Sequence, residues 1–208
     1  MLLGCKNNEN MSFKKPDVIE VLKVLHDDLI FSEMKYSAFP VPPPHPSINL
    51  DSIIEENKKK DTLKVIRDMI KRRGRLIVGI DTVLYPLHNK NLNKNYFQKC
   101  LEQGFENLYY SFKAVKDSVN IDVTRIPNNE YSYILPYQNY YKDFPRKGFD
   151  KYNVIIKFSR VAFNKNKTKA SVIMGVSFGR LNGFSAIYFL EKKKDKWMIK
   201  CEKGLSIS

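Results

Sequence analysis

The last third of the chain alternates apolar runs with clusters of turn-forming residues, and this pattern narrows the fold more than any other feature. Val154 to Phe163, Ala170 to Phe178, Phe184 to Glu191 and Trp197 to Glu202 are rich in β-branched and aromatic residues. Between them stand Asn164-Lys165-Asn166-Lys167, Gly179-Arg180-Leu181-Asn182-Gly183 and Lys192-Lys193-Lys194-Asp195. Loops of that length and chemistry join neighbouring antiparallel strands. The reading is a four-strand antiparallel meander.

The residues before it read mainly as helices. Pro16 suits a first helical turn, and Val18, Val21, Leu22, Leu25 and Leu29 then recur on one face, predicting a helix from Pro16 to Phe31. A second helical region runs from Asn49 to Arg73, with a break expected near Lys60-Asp61. Asp61 would cap its later half, which carries Leu63, Ile66, Met69 and Ile70, and Gly74 would end it. Leu76 to Ile80 reads as a buried strand. Tyr96 to Lys116 reads as mostly helical on Phe97, Leu101, Phe105, Leu108 and Phe112, with Gly104 an unfavourable residue for a helix within it. Short strands and aromatic loops fill 121–150. Helices first and strands last give an α+β class.

Lys6 to Lys15 are polar, and 1–15 read as a tether or signal remnant, leaving 16–208 as a single α+β domain. Within it, Pro40 to Pro46 holds five prolines in seven residues, which excludes helix and central strand and makes a stiff connector. No run of about 18 apolar residues exists to cross a membrane as a helix. Leu2-Leu3-Gly4-Cys5 has the form of the end of a bacterial lipoprotein signal. Too few residues precede Cys5 for a whole signal, so lipidation at Cys5 requires a precursor that extends upstream. If Met1 is instead the native start, the expected location is cytoplasmic. With Cys5 lipidated, Cys100 and Cys201 remain, either as a pair or as two buried thiols; spacing alone does not choose.

Several chemistries are tested by spacing. Haloacid-dehalogenase phosphatases need two acidic residues two apart at a strand end. In Leu76 to Tyr85 the nucleophile position before Asp81 is Gly79, so Asp81 reads as a strand terminator. His26-Asp27-Asp28 sets an imidazole beside carboxylates, but sequence neighbours on a helix diverge and no Ser or Cys stands near. The three histidines and three cysteines have no metal-ligand spacing, and no phosphate-binding or nucleophile-elbow motif is present. No catalytic residue, metal or cofactor is expected.

Net charge is +14, which suits an anionic partner. Only eight of the 36 basic residues are arginine, the side chain that reads base edges best, so nucleic acid is the weaker candidate. The run Lys71-Arg72-Arg73-Gly74-Arg75 sits at a helix C-terminus, where cations offset the helix dipole. A more specific candidate is the aromatic-basic segment. Tyr140, Tyr141, Lys142, Arg146, Lys147 and Lys151 lie among Tyr131, Tyr133, Tyr137, Phe144, Phe149 and Tyr152. Rings interleaved with cations can stack bases or sugars and hold acidic groups.

The final quarter also resembles the C-terminal region of a group of uncharacterised exported or lipid-anchored proteins of Bacteroidota. Ser159-Arg160, Phe163-Asn164, Thr168 and Ala170 match one part of that pattern, and Leu190-Glu191-Lys192, Lys196-Trp197 and Ile199 the other. The chain departs from it at Phe178 and Asn182, where the group carries cysteines. The resemblance implies export and the strand meander and lends no catalytic residue. The functional expectation is a non-catalytic binding or structural module. It would sit at the cell envelope on a lipid and face an envelope partner. The alternatives are a basic protein binding nucleic acid or an acidic glycan, and an enzyme of unassigned class.

Overall fold

A computed structural model of the chain describes residues 16–38, 61–87, 94–137, 151–179 and 182–207. Tyr140, Tyr141, Lys142, Arg146, Lys147, Cys5 and the proline connector fall outside them.

Helix α1 spans Pro16–Ala38 and is longer than the sequence reading, because buried Met34 continues the apolar stripe of Leu29 and Ile30 beyond Phe31. Helix α2 spans Thr62–Arg73. Its expected cap is in place: the Asp61 carboxylate accepts hydrogen bonds from the backbone N–H groups of Leu63 and Lys64. Strand β1, Leu76–Asp81, follows at once, then the two-residue β2, Val83–Leu84. The single helix expected over 96–116 is divided. A 3₁₀ turn at Lys94–Phe97 leads into the short α3, Gln98–Leu101, and α4 runs Glu106–Ala114. Gly104 lies between them at φ 83°, a left-handed conformation that costs glycine nothing and breaks the helix.

The remaining strands are β3 (Val119–Asn120), β4 (Ser132–Tyr137), β5 (Val154–Phe158), β6 (Ala162–Phe163), β7 (Lys169–Ser177), β8 (Gly183–Lys193) and β9 (Lys196–Ile207). Antiparallel pairing joins β5 to β7, β7 to β8 and β8 to β9, so the meander expected from sequence is part of the structure. It differs in two respects. The run from Val154 to Phe163 is not continuous. It breaks at Ser159–Val161, where the Ser159 hydroxyl accepts from the Ile173 N–H, and β6 then pairs β7 further along. The meander also does not stand alone. Strand β1 inserts beside β5, parallel to it, and carries β4, also parallel, on its other side. The result is one seven-stranded mixed sheet in the order β4-β1-β5-β7-β8-β9, with β6 on β7.

Alternation along the strands supplies a core on each face. On one face α1 and α2 bury Val21, Leu22, Leu25 and Ile66 against Val78, Ile80, Ile156, Val172 and Leu190. On the other, Phe97, Phe105, Leu108 and Phe112 of the α3–α4 segment cover Ile187 and Phe189. Cys100 and Cys201 form a disulfide across 101 residues of sequence, stapling α3 to β9.

Candidate functional site

Three groupings hold the chemistry-bearing side chains. The first is a polar ring between α1 and β4, buried at two of its four members. His26 and Ser132 are fully buried. His26 Nδ1 lies 3.0 Å from Asp27 Oδ1, and its Nε2 lies 3.0 Å from Ser132 Oγ. Asn129 closes the ring, donating to Asp27 Oδ1 at 2.7 Å and offering its Oδ1 to the Ser132 hydroxyl at 3.0 Å. Since a carboxylate only accepts, Nδ1 carries a proton. The His26–Asp27 contact corrects the expectation that these neighbours diverge. Burial alone would raise the Asp27 carboxyl, but hydrogen bonds from His26, Lys23 and Asn129 outweigh it and hold it down at about 2.

Serine, histidine and aspartate in this order have the composition of a nucleophilic triad. The surroundings argue for a different role. No solvent reaches Ser132 or His26. The Ser132 backbone N–H, which a tetrahedral intermediate would need, already donates to Asn129 Oδ1 at 2.9 Å. The ring ties residues 106 apart in sequence and fixes how α1 crosses β4. Asp81 is likewise structural: it ends β1, accepts from Val83 N–H at 3.0 Å and takes the Tyr85 hydroxyl.

The second grouping is the described part of the aromatic-basic region. Tyr131 is half-buried and packs on Phe31 at 6.1 Å, against the edge of the core. Tyr133 faces the other side of the sheet, half exposed, with the Arg75 guanidinium 4.8 Å from its ring centre. Tyr137 and Tyr152 meet edge to face at 5.6 Å, and the Lys151 ammonium lies 5.4 Å from the Tyr152 ring. Tyr152 lies flat on β1 because residue 79 is glycine; a Cβ there would come within 2.8 Å of the ring. Of the aromatic-basic candidates, Lys151 is therefore placed beside a tyrosine pair. Arg75, which the sequence assigned to a helix end, is placed over another ring.

The third is a half-open groove of about 570 Å³ beside the disulfide, walled by Asn95, Gln98, Lys99, Glu102, Glu202 and Lys203. Its charges alternate in sign, so it does not select an anion. Among the described residues no group of His, Cys, Asp and Glu is arranged to hold a metal ion, and no helix is long and apolar enough to cross a membrane.

No family model, curated protein or solved structure matches the chain.

Proposed function

We propose that the protein is an exported, non-catalytic binding or structural module of the cell envelope, held to a membrane by a lipid on Cys5 of a longer precursor. The observation that carries this reading is the Cys100–Cys201 bridge. Disulfides form and persist in oxidising compartments and are rare where thiols are kept reduced. Of three cysteines, the bridge leaves Cys5 over, the arithmetic expected when one cysteine has another use. The resemblance of the last quarter to exported proteins of Bacteroidota supports the same direction. Expression from the native locus with upstream DNA intact, followed by fractionation and mass measurement of the N-terminal peptide, tests it. A chain that begins at acylated Cys5 in the membrane fraction is expected. An unmodified start at Met1 or Met11 in the soluble fraction refutes it.

A second reading, binding of an acidic glycan or nucleic acid, is favoured by the cations seated on Tyr133 and Tyr152 of one sheet face. Retention on heparin that persists at moderate salt with a steep salt slope supports it. Loss of stability in Tyr140→Ala/Tyr141→Ala, with retention unchanged, removes those two residues from it.

A further inference from the structure

Helix α1 begins at one particular end of the sheet. Lys192 Nζ lies 3.2 Å from Asp17 Oδ1 and 3.5 Å from Glu20 Oε2, and Lys167 Nζ lies 3.7 Å from Asp17 Oδ2. Lys167 belongs to the turn before β7 and Lys192 to the end of β8. The two turns touch, since the Lys192 N–H donates to the Thr168 carbonyl at 2.7 Å. The start of α1 is thus clamped between the 164–167 and 193–196 turns.

That end is dense in lysine. Lys165, Lys167, Lys193, Lys194, Lys196 and Lys200 are exposed, and Lys192 is half-buried beside them. The facing carboxylates are Asp17, Glu20, Glu191 and Asp195. The first two are held by Lys167 and Lys192, and Glu191 by Lys193 and Lys200 at 3.5 Å each. Lys165, Lys194 and Lys196 belong to none of these pairs. Lys167 and Lys194 both adopt positive φ, 52° and 46°, where asparagine or glycine is the ordinary choice. Lysine stands at both turns where the local backbone does not favour it.

Ten residues lie between Cys5 and Pro16, so the two are at most about 40 Å apart. A lipid on Cys5 therefore limits the start of α1 to within about 40 Å of the bilayer, and the lysine-rich end is the described surface at that entry. We infer that this end of the sheet is a docking face for anionic lipid headgroups. It would act as the electrostatic partner of the N-terminal lipid and orient the module on the membrane. Chemistry and position agree: an acyl anchor and a neighbouring basic patch reinforce one another. The inference rests on the anchored reading above and adds to it which surface meets the membrane.

The test uses the unacylated full chain, so its outcome does not depend on the fate of Cys5. Vesicles of phosphatidylcholine with about one third phosphatidylglycerol are compared with phosphatidylcholine alone, at two salt concentrations. Expected is sedimentation with the anionic vesicles only, weakening with salt. The variant Lys165→Glu/Lys194→Glu/Lys196→Glu should lose at least about tenfold in affinity. Lys71→Glu/Arg72→Glu/Arg73→Glu makes the same change in net charge on α2 and should lose less than about twofold. Near-ultraviolet dichroism confirms that both variants fold; the three lysines are exposed, so they tolerate replacement. Equal losses in the two variants would reduce the effect to overall charge and overturn the assignment. So would absence of binding to anionic vesicles. Acylated Cys5 combined with either result leaves the anchor standing and removes only the docking face.

Discussion

The Cys100–Cys201 bridge closes a loop of 101 residues, nearly half the chain, and its removal has a calculable effect. In the chain-entropy account, a cross-link stabilises chiefly by restricting the unfolded ensemble. For a loop of about 100 residues the restriction amounts to roughly 4.7 kcal/mol. Reduction should therefore lower stability by about 3–5 kcal/mol and the melting temperature by roughly 6–20 °C for a domain of this size. The urea m-value should rise, because the freed unfolded chain exposes more surface. Oxidised and dithiothreitol-reduced protein are compared by urea unfolding, beside Cys100→Ala/Cys201→Ala. Cys100 is buried against Phe97 and Phe105, so the double variant also loses packing and should lie somewhat below the reduced protein. Alkylation in denaturant should count one thiol per recombinant chain before reduction and three after. Three thiols before reduction, or a reduced protein within about 1 kcal/mol of the oxidised one, would refute the argument. The first result would deny the bond, and the second would deny that loop closure is its main effect. The first would also remove the chief support for export.

Three further perturbations test the fold. The Asp27 carboxyl is held at about 2, below its usual 3.8, so its contribution to stability is present above the unfolded value and is lost as pH falls from about 4 through about 2. The shift alone corresponds to about 2 kcal/mol, but 32% of the side chain is exposed. About half of that is expected in acid unfolding curves, and Asp27→Asn should flatten the slope in that window. Gly79→Ala places a methyl 2.8 Å from the Tyr152 ring and should cost about 1–3 kcal/mol. In a Tyr152→Ala background the same change should cost under about 1 kcal/mol, read from a denaturation double-mutant cycle. Asp61→Ala removes the α2 cap and should cost about 1 kcal/mol in the same assay, with the fold unchanged.

What the sequence disclosed was mostly local. The Asp61 cap, the end of α2 at Gly74 and the short turns of the meander depend on residues a few positions apart, and their signals survive into the structure. What it hid depends on distance. Parallel pairing of Leu76–Asp81 with Ser132–Tyr137 leaves no local trace, and Pro136 within β4 argues against a strand there. Cys100 and Cys201 could be paired only once the sheet had brought β9 beneath α3. The Tyr96–Lys116 periodicity is genuine, since Phe97, Phe105 and Phe112 share one core, but Gly104 divides it without disturbing which side chains are buried. The lysines at 165–167 and 192–196 look in sequence like two solvated turns. Only the fold sets them together beside residue 17.

The two polar clusters in this protein show how access, more than composition, separates structure from function. Asp27, His26 and Ser132 have the residue types and distances of catalytic chemistry, yet each hydrogen bond that could act on a substrate is already used inside the core. Such a ring resists water and fixes one packing of α1 on β4, because opening it would strand buried polar groups at a cost of about 1–3 kcal/mol each. The lysine-rich end has the opposite properties. Its groups are individually ordinary, and an exposed lysine pair contributes little to stability. They are, however, exposed together at the point where the chain from Cys5 enters the fold. Removing them should leave stability almost unchanged while changing what the surface attracts. Disrupting the ring should do the reverse. A stability measurement and a vesicle measurement on the same two variants therefore separate the roles, and a vesicle defect in Ser132→Ala without loss of stability would contradict both assignments.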